Sequence, residues 1–218
     1  NNATTVTNTS VTYDVTPPVI SLTAPATGST VNHAKVSYVL SEASSSGSIT
    51  WTETGGSLDA ASPHVQPLSG AELNSGAHTG ITVMASPVLA DQAVYSITLN
   101  ATDLAGNSTA AVTNTNVRYD VTTPAITLTA PVPGSAVNHT KVSYRLSETG
   151  ASGSVRWTRT GGTADAGSPH LKPLAAPELT FGMHPDITLA DNPVLVDGAR
   201  YTVEFDASDF GGNAAPTV

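Results

Sequence analysis

Carboxylates and histidines are the reactive side chains in this sequence: 17 Asp and Glu and six His stand beside eight Lys and Arg, with no Cys. A disulfide framework, thiol catalysis and a Cys-ligated zinc site are thereby excluded. His33, His64 and His78 recur as His139, His170 and His184. Their separations of 31 and 14 residues form no local zinc motif, and hydrogen-bonding or surface roles are expected for them. The oxygen donors say more. Asp14, Glu42, Asp103 and Asn107 offer three carboxylates and one amide, and Asp120, Glu148, Asp209 and Asn213 offer the same set again. Ca2+ prefers six to eight such oxygens, so calcium is the expected cofactor if the fold gathers them. Asp and Asn are equally at home in turns, bonding their own backbone. No His-Glu-x-x-His helix, Gly-x-Ser-x-Gly elbow or Gly-rich phosphate loop occurs, and no catalytic residue is expected.

The elements that position these residues come twice. Trp51 and Trp157, His33 and His139, Tyr95 and Tyr201, and Asp103 and Asp209 all share an offset of 106 residues, and about half of the aligned positions are identical without a gap. Such self-similarity marks a duplicated unit. Within each copy apolar residues alternate with small polar ones, the period of a strand with one buried face. In the first copy Ile20 and Leu22 define a first strand, Val36, Tyr38 and Leu40 a second, and Ile49 and Trp51 a third that stops at Gly55-Gly56. His64 to Leu68 reads as a short fourth strand, Ala71 to Leu73 as one helical turn, and Ile81 with Val83 as a fifth strand. Tyr95, Ile97, Leu99 and Ala101 form the sixth, and Val112 to Val121 the last. Seven short strands in about 100 residues fit a Greek-key β-sandwich. In that topology the segment before the first strand, the loop after the second and the turn after the sixth share one pole. Asp14, Glu42, Asp103 and Asn107 fall there; Asp91 and Asp197 fall on the opposite corner.

Composition narrows the partners. A net charge of -9 opposes any grip on phosphate backbones, so nucleic acid is not expected. No window approaches the length of an apolar membrane span. A core Trp on the third strand and a Tyr at the corner before the sixth are immunoglobulin-like features, although the inter-sheet disulfide is missing. The run from Tyr95 to Asn107, ending Ala-Thr-Asp-Leu-Ala-Gly-Asn, and the later Tyr119-Asp120-Val121-Thr122-Thr123-Pro124 resemble the tandem bacterial Ig-like repeats of large extracellular and surface (adhesin-type) proteins. The second copy departs slightly, reading Asp209-Phe210-Gly211-Gly212-Asn213.

The fold class expected is thus all-β, two tandem immunoglobulin-like Greek-key β-sandwiches. The resemblance implies a bacterial, secreted or cell-surface module that is not an enzyme, serving as stalk, spacer or filament. Two alternatives stay open, an adhesin module binding carbohydrate or host protein and an accessory domain of a polysaccharide-active enzyme. Asn1 aligns with Asn107 and Val218 with Val112. Residues 1–15 therefore correspond to a last strand and linker of a preceding repeat, 16–121 to one repeat, and 122–218 to a second without most of its own last strand. The expected partner is a neighbouring copy, head to tail, with Thr5 to Tyr13 completing the second domain of the preceding copy, whether in a continuous array or donated by a separate chain.

Overall fold

Runs of Val, Ile, Thr and Tyr cut by Pro, Gly and Asn favour strands and turns over helices. The computed structural model describes residues 3–82 and 86–218, and almost all of its regular structure is β. The chain forms two compact units: residues 3–29 with His33–Tyr119, and Thr30–Asn32 with Asp120–Val218.

Residues up to Tyr119 carry β1 (Ile20–Ala24), β2 (Thr30–Val31), β3 (Val36–Leu40), β4 (Ser44–Gly56), β5 (His64–Pro67), β6 (Gly76–Ile81), β7 (Ala93–Asp103) and β8 (Val112–Tyr119). They make two sheets, in the orders β1-β3-β6 and β2-β8-β7-β4-β5. In the constant-type immunoglobulin arrangement the fourth strand lies beside the fifth. Here β5 instead pairs with β4, Trp51 opposite His64 and Ser48 opposite Pro67. The one-turn helix falls at Gly70–Leu73, and Tyr38 Oη donates to the Glu72 carbonyl (2.6 Å), tying it to the core. The fifth strand differs from expectation. It runs Gly76–Ile81, and Val83 lies outside the described residues. Gly, Ala and Thr fill β6 and its side chains are mostly exposed, so backbone pairing with β3 places it rather than alternation.

Alternation does place the core. Val36, Tyr38, Leu40, Ile49, Trp51, Tyr95, Ile97, Leu99 and Val117 are buried between the sheets, and Tyr95 meets Trp51 edge to face at 5.9 Å. Gly56 ends β4 at φ +76°, where any Cβ would run into the Gln92 carbonyl oxygen. Gly162 makes the same stop against Gly198 in the second unit.

The second unit repeats the plan with β9 (Ile126–Ala130), β10 (Val142–Leu146), β11 (Ser152–Gly162), β12 (His170–Pro173), β13 (Gly182–Ile187) and β14 (Ala199–Ser208). Its sheets run β13-β10-β9 and β12-β11-β14. Val142, Tyr144, Leu146, Val155, Trp157 and Phe205 make its core.

Trp51 and Trp157 are 0% and 2% exposed. Truncation of either to Ala removes a large buried ring and should lower stability by about 3 to 5 kcal/mol, measured by denaturant unfolding. Native Trp emission should be blue-shifted and poorly quenched by iodide; a red-shifted, readily quenched spectrum would contradict the packing.

Candidate metal centre

Asp14 lies in the segment entering β1, and its Oδ1 accepts from the Thr16 N–H (2.9 Å) in an Asx turn. Asp103 is the last residue of β7. Its Oδ1 accepts from the Ala105 and Asn107 N–H groups, both at 2.8 Å, while Gly106 at φ +95° lets the chain fold back. Glu42 follows the end of β3. Carboxylate oxygens of Asp14, Glu42 and Asp103 all lie within 4.8 Å of one another. In the second unit Asp120, Glu148 and Asp209 form the same group. Asp120 Oδ1 accepts from Thr122 N–H (3.1 Å), and Asp209 Oδ1 from Asn213 N–H (2.8 Å). Asp91 and Asp197 join neither group.

The asparagines behave differently from the reading as oxygen donors. Asn107 turns Nδ2 inward, donating to Asp103 Oδ2 (2.8 Å) and to the Asp14 carbonyl (3.2 Å). Asn213 does the same to Asp209 Oδ2 (2.7 Å) and the Asp120 carbonyl (2.8 Å). Each amide thus braces the group by fixing the entering segment to the turn after the long strand. Ser44, opposite Asp103 in the β4–β7 ladder, buries a hydroxyl with no hydrogen-bond partner among the described residues; Gly150 holds that place in the second unit.

These carboxylates are costly to hold. Asp103, Asp209 and Asp120 are buried, and Glu42 and Glu148 half-buried. Burial alone would raise the Asp103 pKa. Hydrogen bonds from the Asn107 side chain and backbone, and from the Ala105 and Gly106 N–H groups, prevail and keep it below the usual carboxylate range. Among the described residues no Lys, Arg or His forms an ion pair with Asp14, Glu42 or Asp103. Carboxylates this close repel one another when charged, and a bound cation of charge two or more would relieve both repulsion and desolvation.

The histidines stay apart from these groups. His33 Nδ1 accepts from the Lys35 N–H at 3.3 Å. His78 stacks on Tyr38 at 4.6 Å, with Nε2 at 2.9 Å from the Asn74 carbonyl. His64 belongs to a constellation that the sequence reading missed. Asp59 Oδ2 lies 2.6 Å from His64 Nε2 and accepts the Tyr95 hydroxyl at 2.5 Å, while Tyr95 Oη accepts from the Ala90 N–H (2.9 Å). Asp165, His170, Tyr201 and Val196 repeat the arrangement. Burial first, and the adjacent carboxylate next, push the Tyr95 and Tyr201 pKa up, so each hydroxyl remains a protonated donor and the group acts as a corner latch.

Residues 14–119 match a protein-family model described as Bacterial Ig-like domain. This stretch belongs to that family. The match begins at Asp14 and contains Glu42, Asp103 and Asn107. The second unit repeats the first through the 106-residue offset and the shared strand plan. A search of curated proteins found no match. Bacterial Ig-like domains are typically non-catalytic and usually belong to surface or extracellular proteins. Among the described residues no helix is long and apolar enough to cross a membrane.

The latch makes acid stability testable. Hydrogen bonds from Tyr95, then His64 and the Ala61 N–H, outweigh desolvation and lower Asp59 from 3.8 to about 2; Tyr201 and His170 do the same to Asp165. A folded-state pKa below the unfolded one contributes stability present above pH about 4 and lost as pH falls through about 2. Asp59→Asn with Asp165→Asn should lower Tm at pH 7 and flatten its fall between pH 4 and 2. Equal slopes for variant and wild type would place the acid sensitivity elsewhere.

Proposed function

We propose that the chain is a non-catalytic structural module of a bacterial extracellular or cell-surface protein, a stalk or spacer whose repeats are stiffened by calcium. One observation carries this reading: in each unit a carboxylate from the entering segment meets a Glu and the Asp at the end of the long strand, β7 or β14. A hard cation with oxygen ligands suits that donor set, with backbone carbonyls and water completing six to eight ligands. Asp14, Glu42 and Asp103, or Asp120, Glu148 and Asp209, would hold it. The ion would pin the entering segment to the sandwich and so limit bending where stiffness matters most in a tandem protein.

A carbohydrate-binding module has less behind it. Sugar platforms use exposed aromatic faces, whereas Trp51, Trp157, Tyr38, Tyr95 and Tyr144 are buried. Phe181 and Phe210 are exposed, and Ser75 and Leu104 replace them in the first unit.

Thermal melts in calcium and in chelator test the reading. Binding to the folded state adds RT ln(1 + [L]/Kd), about 2.7 kcal/mol at a hundredfold excess over Kd, and Tm should rise accordingly. Asp103→Asn with Asp209→Asn should abolish the rise. Superimposable melts, together with no calcium uptake by equilibrium dialysis, would reject the site.

A further inference from the structure

Ser44 is 6% exposed, and its hydroxyl finds no hydrogen-bond partner among the described residues. An unpartnered buried hydroxyl is costly, and folded chains keep few of them. The adjoining Ser45 is satisfied, its Oγ donating to the Thr102 and Asp103 carbonyls at 3.1 and 2.6 Å. Ser44 stands directly opposite Asp103 in the β4–β7 ladder, beside a register shift between Ser44 and Ser46. Residues directly opposite in an antiparallel pair put their side chains on one face, and a bulge re-aims the residue next to it. The Ser44 hydroxyl therefore leaves the sheet beside the Asp103 carboxylate, on the buried side, where the oxygens of Asp14 and Glu42 converge.

The second unit lacks this feature for a steric reason. Gly150 takes the place of Ser44 and lies ahead of β11, which begins at Ser152. A Cβ at Gly150 would stand 3.1 Å from Leu179 Cδ2, and Leu179 is buried. Leu73, the counterpart of Leu179, is only half-buried. The position that carries a hydroxyl in the first unit is thus closed by an apolar side chain in the second.

We propose that Ser44 is a ligand of the first unit's cation: its Oγ is a further side-chain oxygen beside Asp14, Glu42 and Asp103, and the ion is the partner that this hydroxyl lacks. The inference rests on the calcium reading above and goes beyond it by giving the two units different ligand sets. The first offers three carboxylates and a hydroxyl, the second three carboxylates alone. A neutral oxygen suits a hard cation, and it enters the site without adding to the repulsion among the carboxylates. In the ion-free chain the hydroxyl is buried and unsatisfied; the ion satisfies it. Removing the oxygen should therefore weaken binding and leave the ion-free chain no less stable.

The test uses the 218-residue chain carrying Asp209→Asn, which leaves the first site alone, with calcium titrated by isothermal calorimetry. Adding Ser44→Ala should weaken calcium binding about tenfold, while Trp emission is unchanged and Tm in chelator stays the same or rises. In a chain carrying Asp103→Asn, which leaves the second site alone, Ser44→Ala should not change calcium affinity. Ser44→Cys places a soft sulfur at the same position in a chain that has no Cys of its own. With Asp209→Asn it should bind cadmium and show the ultraviolet charge-transfer band of a thiolate-ligated ion. First-site calcium affinity that Ser44→Ala leaves unaltered overturns the assignment while the cation reading stands, and so does an absent cadmium band. A Tm that Ser44→Ala lowers equally in calcium and in chelator marks a structural hydroxyl and overturns it as well. No calcium uptake by the unaltered chain removes the cation reading, and this inference with it.

Discussion

A strand at the centre of a sheet has two rows of backbone groups to satisfy, and everything of interest in this protein is fastened to the strand that meets that demand. β7 lies between β4 and β8. Its period of two puts Tyr95, Ile97, Leu99, Ala101 and Asp103 on one buried face. The middle three build the core. Tyr95 reaches the corner latch near one end, and Asp103 anchors the carboxylate group at the other, about 27 Å away by strand rise. A single element therefore sets the positions of two polar sites at opposite poles of the sandwich, and rigid pairing on both sides keeps them there.

The two sites treat buried negative charge in opposite ways. At the corner one carboxylate faces donors from Tyr95, His64 and the Ala61 N–H, and their hydrogen bonds favour the ionised state. At the other pole three carboxylates face one another, and the turn donates only to some of their oxygens. A cation bound there, as proposed, would not compete for every acceptor, because Asn107 and the turn amides hold the frame and leave other carboxylate oxygens to the ion. The frame is thus built by neutral donors around a cluster of carboxylates.

Much of this was legible in the residues. Strict alternation located β1, β3, β4, β7 and β8, and the topology it implies brought Asp14, Glu42 and Asp103 to one pole. β6 was less so, since Gly76 to Ile81 carries almost no buried side chain and its place is set by its neighbour's backbone. The partner of β5 was not written in its four residues either, because alternation defines a face and not a neighbour. The Asp59 latch joins residues 5 and 36 positions apart, with each member looking like a turn or surface residue alone. A signal existed nonetheless: Asp59, His64 and Tyr95 keep their offset in Asp165, His170 and Tyr201. The amide orientation of Asn107 was not accessible, because it depends on which acceptors surround the side chain after folding.

Immunoglobulin sandwiches often clamp their sheets with a covalent sulfur bridge, and here the corner is held by hydrogen bonds to a carboxylate. The difference has a consequence for how similar units are made side by side. Two units with two cysteines each would admit three pairings, and similar sequences give little to distinguish the right one. A hydrogen-bonded corner that forms wrongly opens again in water and leaves no trapped product. It also needs no oxidant, so the units fold alike in reducing and oxidising surroundings, and repeats can be multiplied along a chain without an enzyme to sort them.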